Sequence, residues 1–175
     1  MIFLPGKIAG ACLIEPQKIE DARGFFARVF CREEFAAHGL KSEMAQCNIS
    51  FNGQRGTLRG MHYQTAPREE TKLIRCTRGA IYDVVLDLRP QSPTFRLWEA
   101  ASLTAENCRM MYVPGGIAHG FQTLADDTEV FYQMSEFYAE NCARGVRWDD
   151  PAFAIEWPVK PPILSERDRS HPLWP

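Results

Sequence analysis

The sequence predicts an all-β fold, a sandwich or small barrel with few short helices, and three observations carry that reading. Short extended segments recur with turn-forming residues between them, helix signals are scarce, and a proline-dense stretch closes the chain. In order, the first strand expected is Phe25 to Phe30. The best helix follows at Arg32 to His38 and stops at Gly39, a residue suited to the left-handed position after a helix. Strands are then expected at Met44 to Ser50, Thr57 to Tyr63, Thr71 to Cys76, Ala80 to Leu88, Phe95 to Ala101, Arg109 to Val113 and Thr128 to Ser135. Asn52-Gly53, Arg78-Gly79, Arg89-Pro90, Pro114-Gly115-Gly116 and Asp126-Asp127 mark turns between them. In Ala80 to Leu88, Tyr82, Val84, Leu86 and Leu88 make an apolar face, with Asp83 and Asp87 on the other. Thr104 to Asn107 is a weaker candidate for one helical turn. From Trp148 on, Pro151, Pro158, Pro161, Pro162, Pro172 and Pro175 exclude a central strand. That stretch is expected to wrap the surface as ordered loop, packed down by Phe153, Ile155, Trp157, Ile163 and Leu164.

With 175 residues the chain fits one domain, 1–175, large enough for a real core. Its 45% hydrophobic and 24% charged residues exclude intrinsic disorder. A net charge of -2 offers no footprint for nucleic acid or an anionic membrane. No apolar run spans a bilayer and no secretory leader is visible, so a cytoplasmic location is expected. Cys12, Cys31, Cys47, Cys76, Cys108 and Cys142 form no Cys-x-x-Cys and read as reduced, packed thiols.

Of the four histidines, His38 and His171 read as solvated surface. His62 lies within a strand, and His119 follows Pro114-Gly115-Gly116-Ile117-Ala118. That Pro-x-Gly-x-x-His stretch resembles the second motif of cupins, which implies a jelly roll. The first cupin motif of metal-binding members supplies His-x-His and a Glu, whereas this chain has His62 and Gln64, so no metal is expected.

The resemblance then becomes closer. Asp21-Ala-Arg23-Gly24-Phe25-Phe26, Gln46-Cys-Asn48, Thr57-Leu-Arg59-Gly60-Met-His62-Tyr63-Gln64, Lys72-Leu-Ile, Val113-Pro114 through His119-Gly120-Phe121, Tyr132, Tyr138, Trp148-Asp-Asp-Pro151 and Ser165-Glu-Arg-Asp168 fall in one order. The chain resembles the dTDP-4-dehydrorhamnose 3,5-epimerase family, the nucleotide-sugar epimerase branch of the cupins. The resemblance implies epimerisation at C3 and C5 of a nucleotide-diphosphate-linked 4-keto-6-deoxyhexose, without cofactor, and a homodimer. Such chemistry needs a base on one face, an acid on the other and a donor near the ketone oxygen.

His62 resembles the family's base and Asp168 the carboxylate that orients it, while Tyr132 resembles the acid. Lys72 and His119 would stabilise the enolate oxygen. Independently of the family, an inward lysine with no evident partner is costly to bury and suggests function. The resemblance gives diphosphate binding to Arg23 and Arg59, further contacts to Gln46, Asn48 and Arg167, and base stacking to Tyr138. Taken alone, Tyr132 reads as core and each arginine as solvated charge. Arg28 and Ala143 stand where the family commonly has Glu, both toward the nucleotide end. Strict alternation puts Arg59 and His62 on opposite faces, unless Gly60 marks a bulge or Arg59 serves another subunit. Two rivals remain at this level. One is a single-position epimerase or ketoisomerase of a related sugar, and the other is a non-catalytic sugar-nucleotide-binding cupin, which would not need both an acid and a base.

Overall fold

The computed structural model describes residues 1–174; Pro175, the last of the tail prolines, lies outside the described residues. Thirteen strands and two short helices are arranged in chain order as β1 (Ile2–Pro5), β2 (Cys12–Glu15), β3 (Lys18–Asp21), β4 (Gly24–Ala27), α1 (Arg32–Ala37), β5 (Gln46–Asn52), β6 (Leu58–Gln64), β7 (Lys72–Arg78), β8 (Ala80–Asp87), β9 (Trp98–Thr104), β10 (Met110–Val113), β11 (Ile117–Thr123), β12 (Thr128–Met134), β13 (Ala143–Gly145) and α2 (Glu166–Arg169). One antiparallel sheet has six strands in the order β1-β2-β10-β7-β12-β5, the other five in the order β13-β6-β11-β8-β9. Residues of both sheets, among them Ile74, Val130, Val85, Leu103 and Phe121, meet in the central apolar cluster. This is the jelly-roll sandwich that the cupin resemblance implies.

Each sheet's outer face is also covered in part. Phe35 of α1 is fully buried in a cluster with Ile14, Leu73, Met110 and Tyr112. On the other side Leu58, Met61, Val84 and Leu86 pack with Phe153 and Trp157 of the C-terminal segment. That segment is tied down by hydrogen bonds as well: Trp98 Nε1 donates to the Phe153 carbonyl, and Leu58 N to the Ile163 carbonyl. β8 therefore lies between two covered layers. Its alternation is as read, but its polar face is dry, with Asp83 and Asp87 both 0% exposed. Arg89, Ser92 and Thr94 donate to the Asp87 carboxylate, satisfying it within its own turn. Among the described residues, no helix is long and apolar enough to cross a membrane.

Several expectations need correction. The first predicted strand is β4, which starts one residue earlier and ends at Ala27; β1, β2, β3 and β13 are three or four residues long and too short to show a period. Thr104 and Asn107 do exchange cap-like hydrogen bonds, but these close a turn at the end of β9 and start no helix. The strand expected from Phe95 begins at Trp98, because Ser92 and Thr94 are occupied with Asp87. α2 has no hydrophobic period to announce it, only Ser165 as an N-cap whose Oγ accepts from Asp168 N.

The pairing of β6 with β11 decides where the site residues point. His62 sits opposite His119, but Arg59 sits opposite Phe121, so three steps along β6 match two along β11. The extra residue falls at Gly60–Met61, a bulge that turns Arg59 and His62 toward the same face. Gly60 has φ +143, and a Cβ there would lie 2.6 Å from Gly120 Cα. Gly60→Ala is therefore expected to cost about 3 kcal/mol or more, adding overpacking to backbone strain. A urea unfolding midpoint unchanged from wild type would contradict that.

Candidate active site

A pocket of about 450 Å³ opens between the two sheets. From the six-stranded sheet come Gln46, Asn48, Lys72 and Tyr132; from the five-stranded sheet Arg59, His62 and His119; from α2 Arg167 and Asp168; and Tyr138 from the loop after β12. Every site residue expected from the sequence lies here except Arg23. The structure thus answers the Arg59 question: the bulge brings that side chain to the pocket of its own chain, where Asn52 Oδ1 accepts from its Nε at 2.8 Å.

His62 and Asp168 form a close pair, Nε2 to Oδ1 at 2.6 Å, with the imidazole 37% exposed and the carboxylate 6%. Burial works against ionisation of Asp168, but the hydrogen bond and charge of His62 outweigh it and hold the carboxyl below its usual value. An ionised carboxylate only accepts, so Nε2 carries the hydrogen of this contact, and whenever the imidazole is neutral the Nδ1 lone pair is left for substrate. His119 is built the same way, its Nε2 2.7 Å from Oδ1 of the fully buried Asp83.

The expectation of an unpartnered lysine is corrected. Lys72 Nζ is 2.9 Å from Glu70 Oε1, with side chains 9% and 5% exposed, and it also donates to the His62 carbonyl at 3.3 Å. The second Glu70 oxygen is buried without a partner. Glu70→Ala would strand a buried ammonium, a change expected to cost about 3–5 kcal/mol. The measurement is the thermal midpoint, and a fall of less than a degree would refute the pairing.

Tyr132 stands on the sheet opposite His62. Burial pushes its phenol above the ordinary value, with Arg59 opposing and Glu70 adding to the rise, so the hydroxyl keeps its proton at neutral pH. Gln64, which stands in the place of the second cupin histidine, is committed elsewhere. Its amide donates to the Arg68 and Phe137 carbonyls and accepts from Ala139 N, anchoring the loop that carries Tyr138. Gln46 and Asn48 both aim their amides at Met134 Sδ, and Gln46 Oε1 accepts from Tyr138 N.

Arg23 is not in this pocket. It sits in the turn between β3 and β4, a hairpin paired with neither large sheet, 90% exposed and bonded to Asp21 at 2.6 Å. Of the two departures from the family pattern, Ala143 lines the pocket, whereas Arg28 pairs with Glu34 at 3.0 Å outside it. His171 corrects the surface reading. Its side chain is only 13% exposed, and it reaches Asp168 at 3.7 Å behind His62. Burial first, then the nearby His62, lowers its pKa. Glu70, Asp83 and Asn52, which hold Lys72, His119 and Arg59, were not among the residues expected. Glu70 lies just before β7 and outside the strand expected from Thr71, so strand alternation did not point to it. Asp83 carried no signal, because its partner His119 is 36 residues off in sequence, and Asn52 sat in an expected turn with nothing to tie it to Arg59.

The site can be set beside known proteins. A family model described as dTDP-4-dehydrorhamnose 3,5-epimerase matches residues 5–175. A dTDP-4-dehydrorhamnose 3,5-epimerase of Sinorhizobium fredii is 43% identical over 173 residues, 98% of this chain and 89% of that protein. The crystal structure of a dTDP-4-dehydrorhamnose 3,5-epimerase from Bacillus anthracis with TDP and PPi bound superposes with a TM-score of 0.96 at 42% identity, covering 99% of each chain. A 3'-monoepimerase from Streptomyces bikiniensis in complex with dTDP-quinovose gives a TM-score of 0.90 at 38% identity, covering 97% of this chain and 86% of that one.

Proposed function

The chain belongs to the dTDP-4-dehydrorhamnose 3,5-epimerase family, and from that premise we propose how its own residues epimerise C3 and C5 of a dTDP-linked 4-keto-6-deoxyhexose. Hydrogens on C3 and C5 are acidic because the C4 ketone takes up the resulting charge as an enolate. His62 Nδ1 removes the proton, and Asp168 balances the imidazolium that forms. The enolate oxygen is met by the Lys72 ammonium and the imidazole of His119, both fixed by buried carboxylates before substrate arrives. Tyr132 returns a proton from the other sheet, and its protonated phenol suits that task. The observation that carries the reading is this pair: a carboxylate-backed imidazole and a protonated phenol, held by opposite sheets across one pocket. A binding module has no need of that opposition.

Arg59 and Arg167 are the guanidinium groups available in the pocket for the diphosphate, and Tyr138 the aromatic ring for the base. Arg23 can join them only from a second subunit. The β3–β4 hairpin exposes Ile19, Phe25 and Phe26, and the edge strand β5 exposes Ile49 and Phe51, an apolar surface of the kind subunits cover. We therefore read the working unit as a homodimer, with Arg23 contributed across it.

The test is incubation with dTDP-4-keto-6-deoxyglucose in D2O, followed by mass spectrometry. Two deuterons, one at C3 and one at C5, are expected. The similarity to a 3'-monoepimerase makes exchange at C3 alone the second reading, and no exchange would leave only a binding protein.

A further inference from the structure

Behind His62 lies a third side chain, His171, to which the reaction gives no part. The ring of His171 stands edge-on to that of His62, 5.5 Å between centroids and 72° between planes. Its Nε2 is 3.7 Å from the Asp168 oxygen that already accepts from His62. That nitrogen is buried and has no hydrogen-bond partner. One ligand atom from each of His62, Asp168 and His171 lies within 4.8 Å of the other two. Gly145 backs the His171 ring so closely that a side chain at that position would collide with it. The Nε2 end of the ring thus lies between Gly145 and the Asp168 carboxylate.

We propose that His62 Nε2, Asp168 Oδ1 and His171 Nε2 form a binding site for a divalent transition-metal ion such as Zn2+, and that the ion inhibits this enzyme. Two imidazoles and one carboxylate are a donor set that Zn2+ takes at bond lengths of about 2.0–2.2 Å, so ligand atoms around it sit about 3.4 Å apart. The His171–Asp168 separation of 3.7 Å is already close to that. The His62–Asp168 contact of 2.6 Å opens by less than about an ångström once the hydrogen between them leaves.

Inhibition follows from proton bookkeeping within one ring. Neutral imidazole carries a single N–H, here on Nε2. When Nε2 gives its lone pair to the ion, that hydrogen moves to Nδ1, so no proton is gained or lost overall. Nδ1 is then a donor and has no lone pair for a substrate proton. The ion acts on the base itself and leaves the diphosphate contacts alone. The inhibitory half of this proposal rests on His62 being the base, whereas the binding half does not.

The experiment uses chelator-stripped full-length protein in a Cys47→Ser background, so that the exposed Cys47 thiol does not compete. Zn2+ is titrated against the chromophoric chelator 4-(2-pyridylazo)resorcinol, Co2+ is followed by its visible absorption, and deuterium exchange is read in parallel. One Zn2+ per chain is expected, with loss of exchange in step with occupancy. His171→Phe keeps the ring and His171→Gln keeps polarity, and both should weaken binding at least about tenfold. Absence of binding, or equal binding by wild type and both variants, overturns the site without any reference to activity. Binding through His171 that leaves exchange untouched overturns the inhibitory role. A His62→Ala protein that still exchanges deuterium would sink the base assignment while the metal site stood.

Discussion

His62→Ala is expected to slow deuterium exchange at both C3 and C5 by about 100- to 10,000-fold, the usual worth of a positioned general base. The loss should fall on kcat, because the guanidinium and aromatic contacts to the nucleotide end are untouched. Both positions should fail together, since the pocket offers the two carbons the same imidazole. Asp168→Asn is the companion. It keeps the hydrogen-bonding shape but removes the charge that balances the imidazolium, so catalysis should weaken with substrate binding largely intact. Single-turnover exchange in D2O measures both, and a His62→Ala protein with near-normal exchange would remove the assignment.

Tyr132→Phe should separate proton removal from inversion. With the phenol gone, His62 still takes a proton and can return a deuteron to the face it came from. Label continues to enter, but inverted product should fall by about 100-fold or more, most visibly at C5. The proton has to come from a phenol that burial makes a weaker acid than usual, so transfer depends on a basic enolate beside it. If Tyr132 were only packing, loss of one hydroxyl would leave the ratio of exchange to inversion unchanged. That ratio, compared between wild type and Tyr132→Phe by NMR, decides the matter.

The long middle strands were legible because alternation and turn residues bracket them: Ala80 to Leu88 and Arg109 to Val113 fall within a residue of β8 and β10. β11 was less so, since Gly120 reads as a weak point in a strand until its contact with Gly60 is seen. Motif order brought His62, Tyr132, Lys72 and Asp168 into one pocket. It said nothing of what neutralises the lysine or backs His119, because those partners are defined by packing: Asp83 lies 36 residues from His119 yet in the neighbouring strand. A count along β6 left Arg59 open between two faces, and the added residue at Gly60–Met61, the bulge that was one of the alternatives, turns it to the side of His62. Arg23 lies outside the pocket of its own chain because its motif fixes a place in the β3–β4 turn and says nothing of where that hairpin sits against the sheets.

The carboxylate paired with His62, the base we propose, belongs to a four-residue helix within the 148–174 segment laid over the sheet. That segment follows both sheets in the sequence and is made after them, and domains fold as their sequence emerges. A nascent chain can therefore assemble both sheets, Tyr132 and Lys72 included, while His62 still faces water where Asp168 will later sit. On that reading the proposed dyad is completed only when the segment docks, an event that Trp148 and Trp157 would report, and a protease that trims the segment is expected to abolish exchange.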